Sequence, residues 1–140
     1  MRRVMLTIRG EQRYEGQEPD VIELVTEGTL CPVAQGWRVS YEESDLTGLQ
    51  GAMTTFEVTP GCVTLVRTGA VRSQMVFVEG VPHESLYQIP EGALMVRVCA
   101  RRIDTELSES GGYLDVTYAI HIEQVMAGSV RYHIDVKPLS

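Results

Sequence analysis

Length, composition and charge exclude several classes of protein. The chain has 140 residues, and we predict a single domain over 1–140. Its 44% apolar and 22% charged residues are typical of a globular domain. Its formal net charge is −7 and its basic residues are scattered, so neither nucleic acid nor an anionic membrane surface is expected as a partner.

The cysteines and the first residues predict a cytoplasmic protein. Cys31, Cys62 and Cys99 are odd in number and lack CxxC spacing, which fits reduced thiols better than a disulfide framework. Residues 1–4 run directly into a strand-like segment, so a signal peptide is not expected. Apolar runs such as 93–96 are too short to span a membrane.

Ten strand-like segments follow one another along the chain: 3–10, 20–30, 36–43, 52–58, 62–68, 72–79, 84–89, 93–107, 112–124 and 128–137. Glycines mark the turns between them, at 15–17, 47–51, 59–61, 68–70, 79–82 and 110–112. No helical period persists, and the short connections leave no room for crossover helices. We predict an all-β fold, an antiparallel meander β-barrel of about 8–10 strands, because closure removes exposed edges.

The third and fifth segments carry charged residues onto an otherwise apolar face. Alternation in the third segment brings Glu43 to the inner face beside Tyr41, and alternation in the fifth does the same for Arg67. Because buried charges need partners, Glu43 and Arg67 are predicted to pair inside or at a mouth, with hydroxyl groups from Tyr41 and Tyr87. These four residues are the predicted ligand-binding site. The alternative is a structural polar network that closes one end of a filled barrel.

Two candidates for catalysis fail on geometry. His83 and Ser85 share one face of a strand, but same-face neighbours lie about 7 Å apart at ~3.3 Å rise per residue, and no GxSxG elbow accompanies them. Glu42 and Glu43 are adjacent and therefore face opposite sides of a strand. No strand-to-helix phosphate loop is present. We predict no catalytic residues, and the sequence gives no support for an enzyme.

The eighth and ninth segments predict an irregularity in their pairing. Near the turn, apolar residues face one another when Leu107 lies opposite Leu114. Farther from the turn they do so when Ala100 lies opposite Ile120, and the two registers differ by one residue. One extra residue at Arg101–Arg102 reconciles them, so we predict a β-bulge there.

The last hairpin is predicted to have a three-residue loop at 126–128, with glycine last and Ile120 opposite Ile134. This register places His121 opposite His133, with Cys99 beside His121, and zinc accepts these ligand types. These side chains lie on the polar outer face without a fourth ligand, so neither a metal site nor a cofactor is predicted. Their neighbours would form a cross-strand row of Arg97, Glu123 and Arg131.

Five stretches stand out as motifs: IELVTEG at 22–28, SYEESDLTG at 40–48, SQMVF at 73–77, HESLYQIPEG at 83–92 and GGYL at 111–114. In this order they resemble the YwiB-like family of small bacterial proteins of unknown function. The resemblance implies a lipocalin-like, calycin-type meander barrel over nearly the whole chain. It implies no activity, because the family is itself uncharacterised.

Two functions from different classes follow. The first is a non-catalytic barrel that binds a small molecule or peptide in its cup through the four predicted residues. The second is a structural or protein-interaction module with a filled barrel, as a homo-oligomer. A cavity containing Glu43 and Arg67 favours the first, since ligand pockets measure about 300–1,000 Å³. A filled core with a large exposed apolar patch favours the second.

Overall fold

The computed structural model describes residues 1–14, 16–44 and 49–139. Ten strands account for most of them: β1 (Arg2–Arg13), β2 (Asp20–Val33), β3 (Gly36–Glu42), β4 (Ala52–Thr59), β5 (Cys62–Gly69), β6 (Ser73–Phe77), β7 (Pro82–Ile89), β8 (Gly92–Ser108), β9 (Gly111–Ile122) and β10 (Val125–Pro138). They coincide with the ten predicted segments apart from a few residues at the ends. The predicted turns at 15–17 and 47–51, and the end of the motif at 40–48, fall partly outside the described residues.

The strands form a single antiparallel sheet that curls into a nearly closed barrel. Its order is β6-β5-β4-β3-β2-β1-β10-β9-β8-β7, so every strand pairs with a neighbour in the chain except where β1 pairs with β10. The two edges, β6 and β7, meet through reciprocal backbone hydrogen bonds between Arg72 and Gln88, at 2.9 and 2.8 Å. The predicted all-β meander barrel is therefore confirmed. Within the described residues no helix is long and apolar enough to cross a membrane.

The predicted β-bulge in β8 is confirmed. The pairing with β9 shifts between Ala100 and Arg102, which leaves Arg101 as the extra residue. The predicted registers of β8 and β9 differ from the observed ones by two residues: Leu107 pairs with Gly112 and not with Leu114. An even displacement keeps each apolar side chain on its face, so the core could be predicted although the partners were wrong.

The predicted register of the last hairpin is wrong. The turn is formed by Glu123 and Gln124, whose φ angles are 52° and 69°, as in the positive-φ turns that join two-residue hairpins. Gly128 lies in a bulge where the register shifts after Met126, and its Cβ position would lie 2.1 Å from the Arg13 carbonyl oxygen. The glycine is therefore needed for close packing and not for the turn, which the sequence pattern did not distinguish.

The partners across the last hairpin change accordingly. Ile134 pairs with Leu114, His133 with Asp115 and Arg131 with Thr117, while His121 pairs with Arg97 of β8. The predicted contact of His121 with His133 and the predicted row of Arg97, Glu123 and Arg131 do not form. The turn is held differently: the Glu123 backbone N–H donates to the Met95 carbonyl at 2.9 Å, and its carboxylate accepts from the Met95 N–H at 2.8 Å.

The barrel interior is filled over much of its length by aromatic and aliphatic side chains. Phe56 and Phe77 are 1% exposed, and rings on facing strands lie against them, with Phe77 and Tyr118 centroids 4.6 Å apart and Phe56 and Tyr132 centroids 6.3 Å apart. A small barrel can be closed completely in this way. Here the filling stops short of one end, and the space that remains is the cup.

Candidate functional site

A cavity of about 230 Å³ occupies one end of the barrel. It contains all four residues that the sequence predicts as a site: Tyr41, Glu43, Arg67 and Tyr87. The rest of its wall comes from the first two strands, from β10 and from one residue that precedes β4: Ile8, Gly10, Gln12, Asp20, Ile22, Leu24, Leu49, Val130 and Tyr132. We refer to this space as the cup.

Strand alternation brings the charged pair to the inner wall. In β3, Val39 and Tyr41 are buried on the same parity as Glu43, and in β5 Val63 and Leu65 share the parity of Arg67. The side chains of Glu43 and Arg67 are only 2% and 7% exposed, and Glu43 Oε2 lies 3.8 Å from Arg67 Nε. The predicted burial and pairing of these two charges are therefore confirmed.

The carboxylate of Glu43 is held by more than the guanidinium. The Thr54 hydroxyl donates a 2.6 Å hydrogen bond to Glu43 Oε2, and Thr54 is itself fully buried. Short hydrogen bonds to an ionised oxygen are the strong ones in proteins. Glu43 also contacts Tyr41, whose pKa is raised, first by burial and then by the negative charge of Glu43. The Tyr41 hydroxyl therefore keeps its proton at neutral pH.

Arg67 is the cation of the cup. Its Nη2 donates to the Tyr132 hydroxyl at 3.4 Å, across the barrel from β5 to β10. Burial lowers the pKa of Arg67, but the hydroxyls of Tyr132 and Tyr118 outweigh it, so the pKa lies above its ordinary value and the guanidinium stays charged. The pKa of Tyr118 is raised well above its ordinary value, chiefly by complete burial. Tyr118 is therefore an uncharged group at neutral pH.

Tyr87 reaches the cup from β7 and is half-buried, with its ring packed against the core. The sequence did not single out Tyr132, Thr54 or the aliphatic residues of β1 and β2. Alternation in β10 places Tyr132 on the inner face, but its contact with Arg67 depends on which strands face each other across a closed barrel. The pairing of neighbouring segments does not show which strands face each other across the barrel.

The outer face carries a second polar cluster, centred on Asp115. This carboxylate lies 2.8 Å from Arg131 Nη2 and 2.8 Å from His133 Nδ1, while His133 Nε2 lies 3.2 Å from Asp135. Burial raises the pKa of Asp115, but the hydrogen bonds from Arg131 and His133 outweigh it and lower the pKa overall. Burial lowers the pKa of His133, and its two carboxylate partners more than compensate, so it is raised. In this cluster each acidic side chain has a basic partner: Asp115 contacts Arg131 and His133, and Asp135 contacts His133.

The zinc set considered from the sequence does not assemble. Cys99 pairs with Ala119, and His121 pairs with Arg97. In the described ranges no three histidine, cysteine or acidic side chains come together as metal ligands could. His83 accepts a 3.4 Å hydrogen bond from the Val76 backbone N–H through Nδ1, which links it to β6.

A family model assigns this barrel to a known group of sequences. The model described as "Domain of unknown function (DUF1934)" matches residues 6–134. The chain belongs to the DUF1934 family. The resemblance to YwiB-like proteins inferred from the five motifs is confirmed by the relatives that follow.

Two comparisons connect this DUF1934 chain to the same bacterial protein. The "Uncharacterized beta-barrel protein YwiB" of Bacillus subtilis (strain 168) is 30% identical over 82 residues, which are 59% of this chain and only 56% of the relative. The crystal structure of ywiB protein from Bacillus subtilis superposes with a TM-score of 0.87 at 23% identity, and the match covers 99% of this chain and 93% of the other. The likeness shows the barrel fold and carries no activity.

Proposed function

We propose that the chain is a non-catalytic barrel that binds a small molecule in its cup. The observation that carries the proposal is the buried Glu43–Arg67 pair on the wall of an unfilled cavity. A barrel that needed only to be stable would gain more from apolar side chains there, because desolvating two charges costs free energy that a loose contact does not recover. Two buried charges on the wall of an unfilled cavity are better explained by the binding of a ligand.

The composition of the cup supports the same function. Ligand sites are mostly apolar, with a few polar groups that fix orientation, and here Ile8, Ile22 and Leu24 share the wall with the polar residues. The volume of about 230 Å³ is below the range of ~300–1,000 Å³ that holds drug-sized ligands, so the ligand is small. We retain the lipocalin-like, calycin classification and a cytoplasmic location as parts of this proposal.

Native mass spectrometry of protein purified from its source cells tests the proposal. The wild type is expected to carry a non-covalent mass, and Ile22→Trp is expected to lose it, because Ile22 lines the cup and is 38% exposed, which leaves room for a larger side chain without disturbing the core. Val25→Trp is the matched control, since Val25 is 64% exposed on the opposite face of the same strand. Bare polypeptide mass in all three samples would refute a cup ligand.

A protein-interaction module that forms homo-oligomers is the second candidate. It is favoured by apolar side chains on the outer surface: Leu86 and Met95 pair across β7 and β8 and are 49% and 38% exposed. Exposed apolar groups that lie together mark contact surfaces. Light scattering from the purified protein gives the number of chains in the particle, and a monomer removes this candidate.

A further inference from the structure

Arg67 holds hydrogen-bonding capacity that the described part of the chain does not use. A guanidinium carries five N–H donors. Among the residues that the structure describes, Nε has no hydrogen-bond partner, and Nη2 reaches only the Tyr132 hydroxyl, at 3.4 Å. That distance is longer than the ~2.7–3.2 Å of ordinary N–H···O bonds. A buried cation with so few acceptors is costly unless another molecule supplies them.

Glu43 does not supply the missing acceptor. Its nearest oxygen lies 3.8 Å from Arg67 Nε, which is an ion-pair contact without a hydrogen bond, and the same oxygen accepts from Thr54 at 2.6 Å. The hydroxyl of Ser73, which pairs with Arg67 across β5 and β6, is likewise buried without a partner in the described part of the chain. Within the described residues, Arg67 Nε thus lacks an acceptor, and the neighbouring Ser73 hydroxyl lacks any hydrogen-bond partner.

We propose that the cup ligand is a small carboxylic acid whose carboxylate binds the Arg67 guanidinium and whose apolar body lies against Ile8, Ile22 and Leu24. This inference rests on the proposed function. A carboxylate presents two oxygens in one plane, which matches the fork of N–H donors on an arginine. The hydroxyls of Tyr41 and Tyr132 lie on the same wall and can donate to the same oxygens.

The charges on the cup wall and the volume of the cup restrict the class of ligand further. Among the described residues of the cup wall, Arg67 is the one cationic side chain, and Glu43 and Asp20 are acidic, so a monoanion fits better than a dianion such as a phosphate monoester. A volume of about 230 Å³ corresponds to roughly eight water molecules at ~30 Å³ each. A short branched acid fits this space, whereas a long acyl chain does not.

A pair of near-isosteric probes tests the charge directly. 4-Methylpentanoate and 4-methylpentanamide differ in one group, and both are titrated into the protein while backbone amide shifts at Gly10 and Ile22 are followed by NMR. The acid is expected to bind at least about tenfold more tightly than the amide, because hydrogen bonds to an ionised acceptor are the stronger ones. Arg67→Lys retains a charge but not the fork, and it is expected to reduce this preference. Ile22→Trp is expected to abolish binding of both probes.

The outcomes separate this inference from the proposed function. Equal binding of acid and amide, both sensitive to Ile22→Trp, would overturn the carboxylate assignment and leave a small-molecule site intact. Binding of neither probe, with a bound mass still present on the native protein, would overturn it in the same way. A preference for the acid that survives Arg67→Lys unchanged would also contradict it, because the anchor would then lie elsewhere. Absence of any bound mass on the native protein counts against the proposed function itself.

Discussion

At the residue scale, the central feature is a pair of buried charges at the boundary between packed core and cup. Glu43 and Arg67 are 2% and 7% exposed at the side chain, and their nearest charged atoms are 3.8 Å apart. Such a pair contributes little net stability, yet removal of one member is costly because the other charge remains desolvated. The pair therefore fixes the chemistry of the cup more than it stabilises the barrel.

A double-mutant cycle measures that coupling. Arg67→Met is expected to lower the free energy of unfolding by about 3–5 kcal/mol, since it strands the Glu43 carboxylate in a low-dielectric site. Combined with Glu43→Gln, the loss should fall short of the sum of the two single changes by about 1–3 kcal/mol. Urea unfolding of the four proteins gives the values.

The chain offers a matched surface pair as control. Arg38 and Glu57 lie 2.7 Å apart with side chains 45% and 40% exposed, and their coupling should be below about 1 kcal/mol. Additive effects in the cup pair, within about 0.5 kcal/mol, would show that Glu43 and Arg67 do not interact.

The sequence predicted these two residues for a reason that can be stated. Period-two alternation in β3 and β5 fixed which side chains point inward, and buried charges require partners. The same reasoning could not find the contact of Arg67 with Tyr132 or the hydrogen bond from Thr54. Tyr132 lies on a strand that does not pair with β5, and the hydrogen bond from Thr54 to Glu43 depends on the register between β3 and β4.

At the element scale, the hairpins separate what alternation determines from what it does not. Alternation determines the face of each strand, and the residues predicted to face inward from the third and fifth segments, Tyr41, Glu43 and Arg67, are buried. It does not determine register, because any even shift preserves the face. The two-residue turn at Glu123 and Gln124 escaped prediction since neither residue favours positive φ.

Gly128→Ala tests the revised role of that glycine. A Cβ at Gly128 would lie 2.1 Å from the Arg13 carbonyl oxygen, so the substitution should destabilise the protein by about 1–3 kcal/mol through overpacking between β10 and β1. Gly92→Ala is the matched control, with a similar φ of 149° against 157° and no atom within 4 Å of the added Cβ. Chemical unfolding of both variants measures the difference. Equal losses would mean that the close approach to Arg13 is not what requires glycine.

At the scale of the whole molecule, the barrel is a scaffold with one unfilled end. Strand order, near closure and the bulge at Arg101 were all predictable, because short glycine-rich connections allow only a meander and closure removes its edges. The depth of the cup was not predictable. It depends on how far the aromatic residues of β4, β6 and β9 fill the interior, which is a property of the three-dimensional packing.

A crystal structure of the protein as purified from its source cells tests the central claim most directly. The account predicts electron density in the cup for a bound molecule other than water, in contact with the Arg67 guanidinium and bounded by Ile8, Ile22 and Leu24. A cup that contains only ordered water, or one closed by its own side chains, would contradict it.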